Sequence, residues 1–175
     1  MTKLTPMPEW LITTYLEMTA YEQFKPSYIQ HEQVRIERWQ GTDLDFYLSL
    51  YKGVGYALRW RDRLIMPPAQ LREALAKAYV YVLYYADEPA GYVELDQQGD
   101  DVEVAYFGLF APFQGLGLGK HLLSYGIEQA WQIGAKRVYV HTCNLDGEHA
   151  MSNYEKRGFR AYHQQTEPMP ERYKT

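Results

Sequence analysis

Three consecutive segments with strand character limit the folds that are open to this chain. They are rich in tyrosine, valine and leucine and occupy positions 79–85, 91–95 and 102–110. Two short turns, at 87–89 and 98–100, separate them. Short strands joined by tight turns predict an antiparallel meander in the middle of the chain.

The segments on either side add helices and further strands. The spacing of apolar residues, together with capping residues, predicts five helices: one at 8–18, one that begins after an N-cap at Thr42, and three at 67–78, 117–133 and 148–157. It also predicts strands at 33–39, 136–142 and 159–164. The late strand-helix-strand-helix-strand order implies a mixed sheet covered by helices. We therefore predict an α/β fold with a mixed, mostly antiparallel sheet and helices on both faces, in one domain over 1–175.

Composition argues against several classes of function. A hydrophobic fraction of 46% with 23% charged residues is typical of a folded globular domain. The net charge of -4 argues against nonspecific binding to nucleic acid or anionic membranes, which requires a basic surface. Cys143 is the only cysteine, and the chain shows no secretory signal or long apolar run. We expect a cytoplasmic protein with no nucleic-acid or membrane partner, and a homodimer stays open.

A glycine-rich run lies between the last meander strand and a predicted helix. It reads Gln114-Gly115-Leu116-Gly117-Leu118-Gly119-Lys120. Glycines allow the main chain to approach a ligand, and the free N–H groups of a first helical turn favour a pyrophosphate. The run is not a Walker P-loop, because His121 follows the lysine, nor a Rossmann fingerprint, because it follows an antiparallel meander. Taken alone, it would also fit a flexible turn.

Together with a second motif, the run resembles the GNAT (GCN5-related N-acetyltransferase) superfamily. The acyl-CoA motif of that family, [QR]-x-x-G-x-[GA], is filled by 114–119. A second signature, A-x-x-x-Y-x-x-x-G-F, is filled by Ala150, Tyr154, Gly158 and Phe159. The resemblance covers about 79–165 and implies an enzyme, an acyl-CoA N-acyltransferase. The simplest enzyme of this kind is an acetyl-CoA-dependent N-acetyltransferase that transfers the acetyl group directly to a primary amine.

The resemblance also implies where acetyl-CoA binds. The strand that ends at Leu109 should splay from the strand that ends at 141–142, and the pantetheine arm should bond the main chain near Leu109 and Ala111. The pyrophosphate should lie on the N–H groups of Gln114, Gly115, Leu116, Gly117, Leu118, Gly119 and Lys120. Many family members carry an asparagine three residues before the alanine matched by Ala150, where this chain has Gly147. Asn144 either supplies that contact or, like Asp146, forms a turn or an N-cap.

Acetyl transfer needs a base for the amine, a donor for the developing oxyanion and a partner for the leaving thiolate. The candidates for the base are Glu103, then Glu94, then His141. The main-chain N–H of Leu109 or Phe110 is the expected oxyanion donor. Tyr154 matches the tyrosine that lies near the CoA sulfur in many family members. Since a phenol has a pKa of about 10 and a thiol about 8.5, it either protonates the thiolate or only donates a hydrogen bond.

Several alternatives stay open at this point. The acceptor is a small-molecule or peptide amine, and no metal is implied. A non-catalytic acyl-CoA-binding or sensor module and an acyltransferase with a longer acyl donor are the rival interpretations. The segment at 60–63, Trp-Arg-Asp-Arg, either binds an acceptor carboxylate or phosphate or forms a solvated charge cluster or an ion pair with Asp62.

Overall fold

The computed structural model describes residues 3–147 and 149–175. Its strands are β1 (Trp10–Met18), β2 (Val34–Trp39), β3 (Tyr79–Tyr85), β4 (Glu88–Gln98), β5 (Asp101–Leu109), β6 (Arg137–Cys143) and β7 (Arg160–Pro168). Its α-helices are α1 (Leu44–Gly55), α2 (Asp62–Ile65), α3 (Pro68–Lys77), α4 (Leu118–Gln132) and α5 (Ala150–Lys156). No helix in this described part combines the length and the hydropathy needed to cross a membrane.

The strands form one sheet in the order β2-β3-β4-β5-β6-β1-β7. Only the β5–β6 pair is parallel. Alternate residues of the central strands point into two cores: Tyr81 and Leu83 pack under α4, whereas Val80 and Val82 pack under α1 and α3. The prediction of a mixed, mostly antiparallel sheet with helices on both faces is therefore confirmed.

The predicted meander is present as β3, β4 and β5, although β4 is longer than expected. It begins at Glu88, because the turn before it needs only two residues, Ala86 and Asp87. Both have positive φ angles, 49° and 67°. Positive φ at both central residues is the geometry of the tight hairpin turn that matches strand twist.

The prediction of a helix at 8–18 is wrong, because Trp10–Met18 is a strand inserted between β6 and β7. Leu16 and Met18 are buried against the core under α4. Leu11 lies on the opposite face, where it packs with Leu145 and Met169. The two ends of β1 are covered on opposite faces, so its buried residues do not alternate along the whole strand. Their spacing therefore resembles that of a helix.

Other boundaries differ by a few residues. Asp43, and not Thr42, caps α1 by accepting a 3.1 Å hydrogen bond from the Phe46 N–H. Helix α2 begins within 60–63, a segment for which the sequence predicted no secondary structure, and extends to Ile65. Helix α5 begins at Ala150, and the predicted start at Glu148 lies outside the described residues.

Strands β5 and β6 pair only at their beginnings and then separate. The parallel ladder joins three residue pairs, from Asp101 with Arg137 to Glu103 with Tyr139. Directly after it, the β4–β5 register shifts, so that Ala105 is an extra residue on β5. Such a bulge bends its strand, while β6 stays paired with β1 up to Cys143. The expected splay is therefore present, and a cleft opens between the two strands.

Candidate active site

The cleft between β5 and β6 has a volume of about 770 Å³. It is continuous from the glycine-rich loop, past the open edge of β5, to the connection between α1 and α2. Its lining includes Trp60, Arg63, Glu103, Tyr106, Phe107, Leu109, Gln114, Gly117, Lys120, His141, Asp146, Asn153, Tyr154, Arg157 and Tyr173.

The end of β5 turns main-chain groups toward this cleft. The Phe110 N–H donates a 2.8 Å hydrogen bond to the Ala90 carbonyl on β4. Because successive residues of an antiparallel strand bond to opposite sides, the N–H of Leu109 points away from β4 and into the gap. The Phe110 N–H is therefore already used, and of the two expected oxyanion donors the geometry leaves Leu109.

The glycine-rich loop adopts a conformation that requires glycine at two positions. Gly115 and Gly117 have φ angles of 82° and 79°, in the left-handed region. A Cβ at Gly115 would meet no protein atom within 4 Å, and one at Gly119 would come no closer than 3.7 Å, to Leu109. The protein therefore leaves the space above the loop open.

Gly117 is also the N-cap of α4, and no side chain caps the helix there. A 15-residue helix thus presents free N–H groups and the positive end of its dipole to the cleft. Lys120 adds an exposed cation that forms no ion pair with the described residues. The combination fits an anionic group such as a pyrophosphate.

Four of the expected cofactor contacts do not line the cleft with their side chains. Phe110 packs against the core under α1. Ala111 and Leu116 are exposed, and Leu118 is buried in the core beneath α4. The expected contacts of these residues with acetyl-CoA therefore rest on main-chain groups alone. Gln114 does line the cleft, and its Nε2 lies 3.4 Å from the Leu109 carbonyl oxygen.

Tyr154 lies on the wall of the cleft formed by α5. Its ring packs between Phe107 and Phe159, with centroid distances of 6.2 and 5.9 Å. Among the described residues its hydroxyl has no hydrogen-bond partner. Burial, together with the nearby Asp146 carboxylate, raises the pKa of Tyr154. The hydroxyl therefore keeps its proton and is free to donate a hydrogen bond to a ligand.

Glu103 and His141 meet at the point where β5 and β6 begin to separate. Both line the cleft, and His141 Nδ1 lies 3.9 Å from Glu103 Oε1. Burial and the Glu103 carboxylate raise the pKa of the adjacent Tyr139 to about 12. The geometry brings two of the three candidate bases together at one place.

Glu94, the remaining candidate base, lies outside the cleft lining and is fully buried. Its Oε1 accepts a hydrogen bond from the Tyr47 hydroxyl, and its Oε2 accepts one of 2.7 Å from Arg63 Nη2. Burial raises the pKa of Glu94, and the Arg63 guanidinium opposes that effect. Since both of its oxygens are occupied, Glu94 supports Arg63 and is not placed to take a proton from an acceptor.

Asn144 does not reach the cleft either. Its Oδ1 accepts from the Ile12 N–H at 3.0 Å and its Nδ2 donates to the Trp10 carbonyl at 2.9 Å. Both polar groups of its side chain thus bind the main chain of β1. The turn-forming role proposed for Asp146 fits better, because its Oδ2 accepts from the Cys143 N–H at 3.1 Å.

Two residues that the sequence reasoning did not select share the cleft face of α5. Asn153 lies beside Gly119, 3.8 Å from where a Cβ would stand there. Arg157 has a buried Nε and Nη1 without a hydrogen-bond partner. The spacing i, i+3, i+4 and i+7 places four residues on one helix face: Ala150, Asn153, Tyr154 and Arg157. Ala150 and Tyr154 belong to the family signature, so the sequence already indicated this face.

The segment at 60–63 forms the far wall of the cleft. The Trp60 ring packs against Tyr51 and Tyr106, with centroids 5.5 and 5.3 Å apart, and its Nε1 donates to Asp146 Oδ1 at 3.3 Å. Arg61 is only 6% exposed and binds main-chain carbonyls. The segment is therefore not a solvated charge cluster, and neither of its arginines pairs with Asp62. Arg63 pairs with Glu94 but keeps a buried Nε without a hydrogen-bond partner, and Asp62 pairs with Arg172.

The fold and the cleft agree with the comparison to known families. Residues 56–159 match the model of the Acetyltransferase (GNAT) family. The chain belongs to this family, and the match spans the meander, the glycine-rich loop and α5.

Individual relatives are similar over shorter stretches. The uncharacterized N-acetyltransferase YvbK of Bacillus subtilis is 35% identical over 89 residues, which are 50% of this chain and 57% of that protein. The mycothiol acetyltransferase of Corynebacterium efficiens is 30% identical over 56% of this chain and 33% of that protein. The matched region thus spans between a third and three fifths of these relatives. A Bacillus subtilis acetyltransferase solved in complex with CoA is 27% identical, with a TM-score of 0.57 over 73% of this chain and 76% of that one.

Proposed function

We propose that this protein is an N-acetyltransferase that transfers an acetyl group from acetyl-CoA directly to a primary amine. One observation carries the proposal: the uncapped glycine loop, the open edge of β5 and the unpaired Tyr154 hydroxyl all face one cleft. The named N-acetyltransferase relative and the similar structure in complex with CoA support this interpretation.

The cleft offers groups suited to each part of acetyl-CoA. The first-turn N–H groups of α4 and the cation of Lys120 would hold the pyrophosphate. The open edge of β5 near Leu109 would hydrogen-bond the pantetheine arm. Acetyl-CoA would supply the acetyl group as a thioester, the electrophile of the reaction.

Glu103 is the group we assign as the base. It accepts a proton from the acceptor ammonium, directly or through one water, so that the neutral nitrogen can attack. As the nitrogen–carbon bond forms, the Leu109 N–H donates to the carbonyl oxygen, where negative charge develops. His141 assists by its position beside the Glu103 carboxylate.

Tyr154 acts when the carbon–sulfur bond breaks and the thiolate leaves. A thiolate is a weaker base than a phenolate, and the raised pKa of Tyr154 widens that difference. Complete proton transfer from this tyrosine is therefore uphill. Tyr154 stabilises the thiolate by donating a hydrogen bond. The thiolate is then protonated by water or by the proton that the acceptor nitrogen has released.

Cys143 is not assigned a covalent role. Burial, with the Asp146 carboxylate nearby, raises the pKa of the Cys143 thiol to about 11. Because the thiolate is the reactive form, such a thiol is a poor nucleophile near neutral pH. This supports direct transfer over an acyl-enzyme, and a free thiol also fits the cytoplasmic location that we include in the proposal.

The proposal is tested by thermal unfolding followed by measurement of CoA release. Acetyl-CoA should raise the melting temperature, whereas NAD and ATP should not. CoA should then be released only when an amine from a mixed panel is added. Stabilisation by acetyl-CoA without release for any amine would identify a binding module, and faster release from a longer acyl donor would correct the donor. Stabilisation by NAD or ATP alone would overturn the proposal.

A further inference from the structure

The segment that follows β7, residues 169–175, folds back to the far end of the cleft; we call it the closing segment. Met169 is buried against Leu11 and Leu145, and its N–H donates to the Glu9 carbonyl at 3.1 Å. Tyr173 is partly buried and lines the cleft. The closing segment therefore contributes a ring to the site from outside the region of the two family motifs.

Side chains from the α1–α2 connection and the start of α2 hold the closing segment in place. Arg59 Nη1 donates to the Tyr173 carbonyl at 3.0 Å, and Arg61 donates twice to the Thr175 carbonyl, from Nε at 3.2 Å and Nη2 at 2.9 Å. Asp62 accepts from Arg172 at 2.7 Å. Burying a guanidinium such as that of Arg61 is costly unless its donors are satisfied. The wall formed by Tyr173 is thus fixed and not a loose end.

The far end of the cleft presents rings and aliphatic groups, and the charged side chains around them are bonded within the protein. Asp62 pairs with Arg172 and Arg63 with Glu94, while Arg59 donates to the Thr5 and Tyr173 carbonyls. Asp146 already accepts hydrogen bonds from Thr142, Cys143 and Trp60. What remains for a ligand at this end is the surface of Trp60, Tyr106 and Tyr173, with Val54 and Leu58 beside them.

We propose, building on the proposed function, that the acceptor is a small amine with an aromatic or aliphatic body and that Tyr173 and Trp60 select it. Ring surfaces favour an apolar body through area burial and ring–ring contact. A polyamine would need a carboxylate for its second ammonium, and the carboxylates at this end, Asp62 and Asp146, already accept hydrogen bonds from protein groups. A lysine side chain carries no ring to contact Trp60 and Tyr173.

An acceptor panel tests this assignment. The purified full chain is given acetyl-CoA and either 2-phenylethylamine, spermidine or a lysine-containing peptide, and kcat/KM is obtained from CoA release. The arylalkylamine should exceed the other two by up to about tenfold, the upper end of what one ring contact of this kind provides. Higher kcat/KM for spermidine or the peptide would overturn the inference but leave the proposed function intact. Absence of turnover with every amine would overturn both.

Variants of the closing segment test the role of Tyr173. Tyr173→Ala should raise the KM for the arylalkylamine about tenfold and leave the KM for acetyl-CoA unchanged, because the ring lies at the far end of the cleft. Tyr173→Phe should restore most of the loss, since the ring and not the hydroxyl makes the contact. Lys174→Ala, at the adjacent position and outside the cleft, is the matched control.

A second variant separates selection from folding. Asp62→Asn weakens the bond to Arg172 without removing a ring, and it should raise the KM for the arylalkylamine and lower the advantage of this amine over spermidine. An acceptor KM unchanged in both Tyr173→Ala and Asp62→Asn would overturn the inference. So would equal changes in the KM for acetyl-CoA and for the amine, because they would indicate a general loss of structure.

Discussion

The two ends of the cleft are built in opposite ways. At the glycine loop, the main-chain N–H groups of α4 have no side-chain cap, and Arg157 carries buried donors without partners. At the far end, Arg61, Asp62 and Arg63 are all bonded to other parts of the protein. The glycine-loop end leaves main-chain donors without a side-chain cap, whereas the far end bonds its charged side chains internally, apart from the buried Nε of Arg63.

This difference indicates what each end binds. Unpaired buried donors are costly in an empty protein, so they indicate a polar, anionic ligand that completes them. At the far end most charged side chains are bonded within the protein, so ring surfaces form a larger share of the wall. We propose that the protein binds a highly charged donor at one end and selects the acceptor by shape and ring surface at the other. Glu103 and Tyr154 lie on the walls between the two ends.

The largest effect is expected where the two ends meet, at Glu103. Glu103→Gln keeps the size of the side chain but cannot accept a proton, and a general base typically contributes 10²–10⁴-fold. We expect kcat/KM for the amine to fall by roughly that factor with the affinity for acetyl-CoA unchanged. Steady-state kinetics with acetyl-CoA and a competent amine measure it.

Asp96→Asn is the matched control, because Asp96 lies directly opposite Glu103 on β4 and also lines the cleft. Its effect should be far smaller. If His141→Gln costs more than Glu103→Gln, the histidine is the base and the assignment is reversed.

The next largest effect concerns the internal pairing of the far end. Arg63→Met removes the cation from the buried Glu94, and breaking a buried pair in this way typically costs about 3–5 kcal/mol. Denaturant unfolding of the natural chain and of Arg63→Met measures the difference in their free energies of unfolding. The double variant with Glu94→Gln should recover part of the loss, since no uncompensated charge remains buried. A cost below about 1 kcal/mol would show that the far end does not depend on this pair.

The same variant predicts a dependence on pH. Burial raises the pKa of Glu94, and loss of Arg63 removes the effect that opposes it. A carboxyl with a higher pKa in the folded state binds more protons when folded, so stability falls as the pH rises above its unfolded value of about 4.3. The stability deficit of Arg63→Met should therefore be smaller at pH 5 than at pH 8.

The sequence marked the residues of the glycine-loop end of the cleft better than those of the far end, for a physical reason. Each of the two motifs, at 114–120 and at 150–159, is one continuous stretch of sequence. The first forms a helix terminus and the second a helix face. The far end instead joins residues near 60 to residues near 173, and no local pattern reveals a contact across 110 positions. For the same reason, Asp146 was recognised as a turn residue but not as the partner of Trp60.

The N-terminal strand shows a second limit of sequence reasoning. Leu11 is buried by the closing segment on one face of the sheet, and Leu16 and Met18 by the core under α4 on the other. A periodicity argument assumes that one element buries one face. It failed for β1 because the burial of that strand depends on partners from two distant parts of the chain.

A smaller effect is expected at the glycine-loop end of the cleft, where Gly117→Asp should weaken the binding of acetyl-CoA. The carboxylate would repel the pyrophosphate where the protein itself leaves room, the nearest protein atom being 3.7 Å from the added Cβ. Acetyl-CoA at a hundredfold excess over its Kd should stabilise the natural chain by about 2.7 kcal/mol. The variant should lose most of this stabilisation in a thermal shift assay.

The matched control for this substitution is Gly99→Asp, in the turn between β4 and β5. Gly99 also has a positive φ, 64°, and open space around a Cβ, but it lies outside the cleft lining. Both variants should carry a similar backbone strain, and only Gly117→Asp should lose the response to acetyl-CoA. An equal response in both would show that the loop is only a turn.

The smallest of the four effects is expected at Tyr154, whose hydroxyl is assigned a hydrogen bond and not a proton transfer. Tyr154→Phe keeps the ring that packs between Phe107 and Phe159, so stability and acetyl-CoA affinity should change little. A hydrogen bond to a charged group contributes about 1.5–3 kcal/mol, which corresponds to roughly a 10- to 100-fold fall in kcat and kcat/KM together. Because burial raises the pKa of Tyr154, the natural chain should also show no loss of activity from phenol ionisation up to about pH 10. Turnover equal to that of the natural chain would make the tyrosine structural. A fall well beyond 100-fold, or an alkaline decline that disappears in the variant, would show that Tyr154 transfers its proton after all.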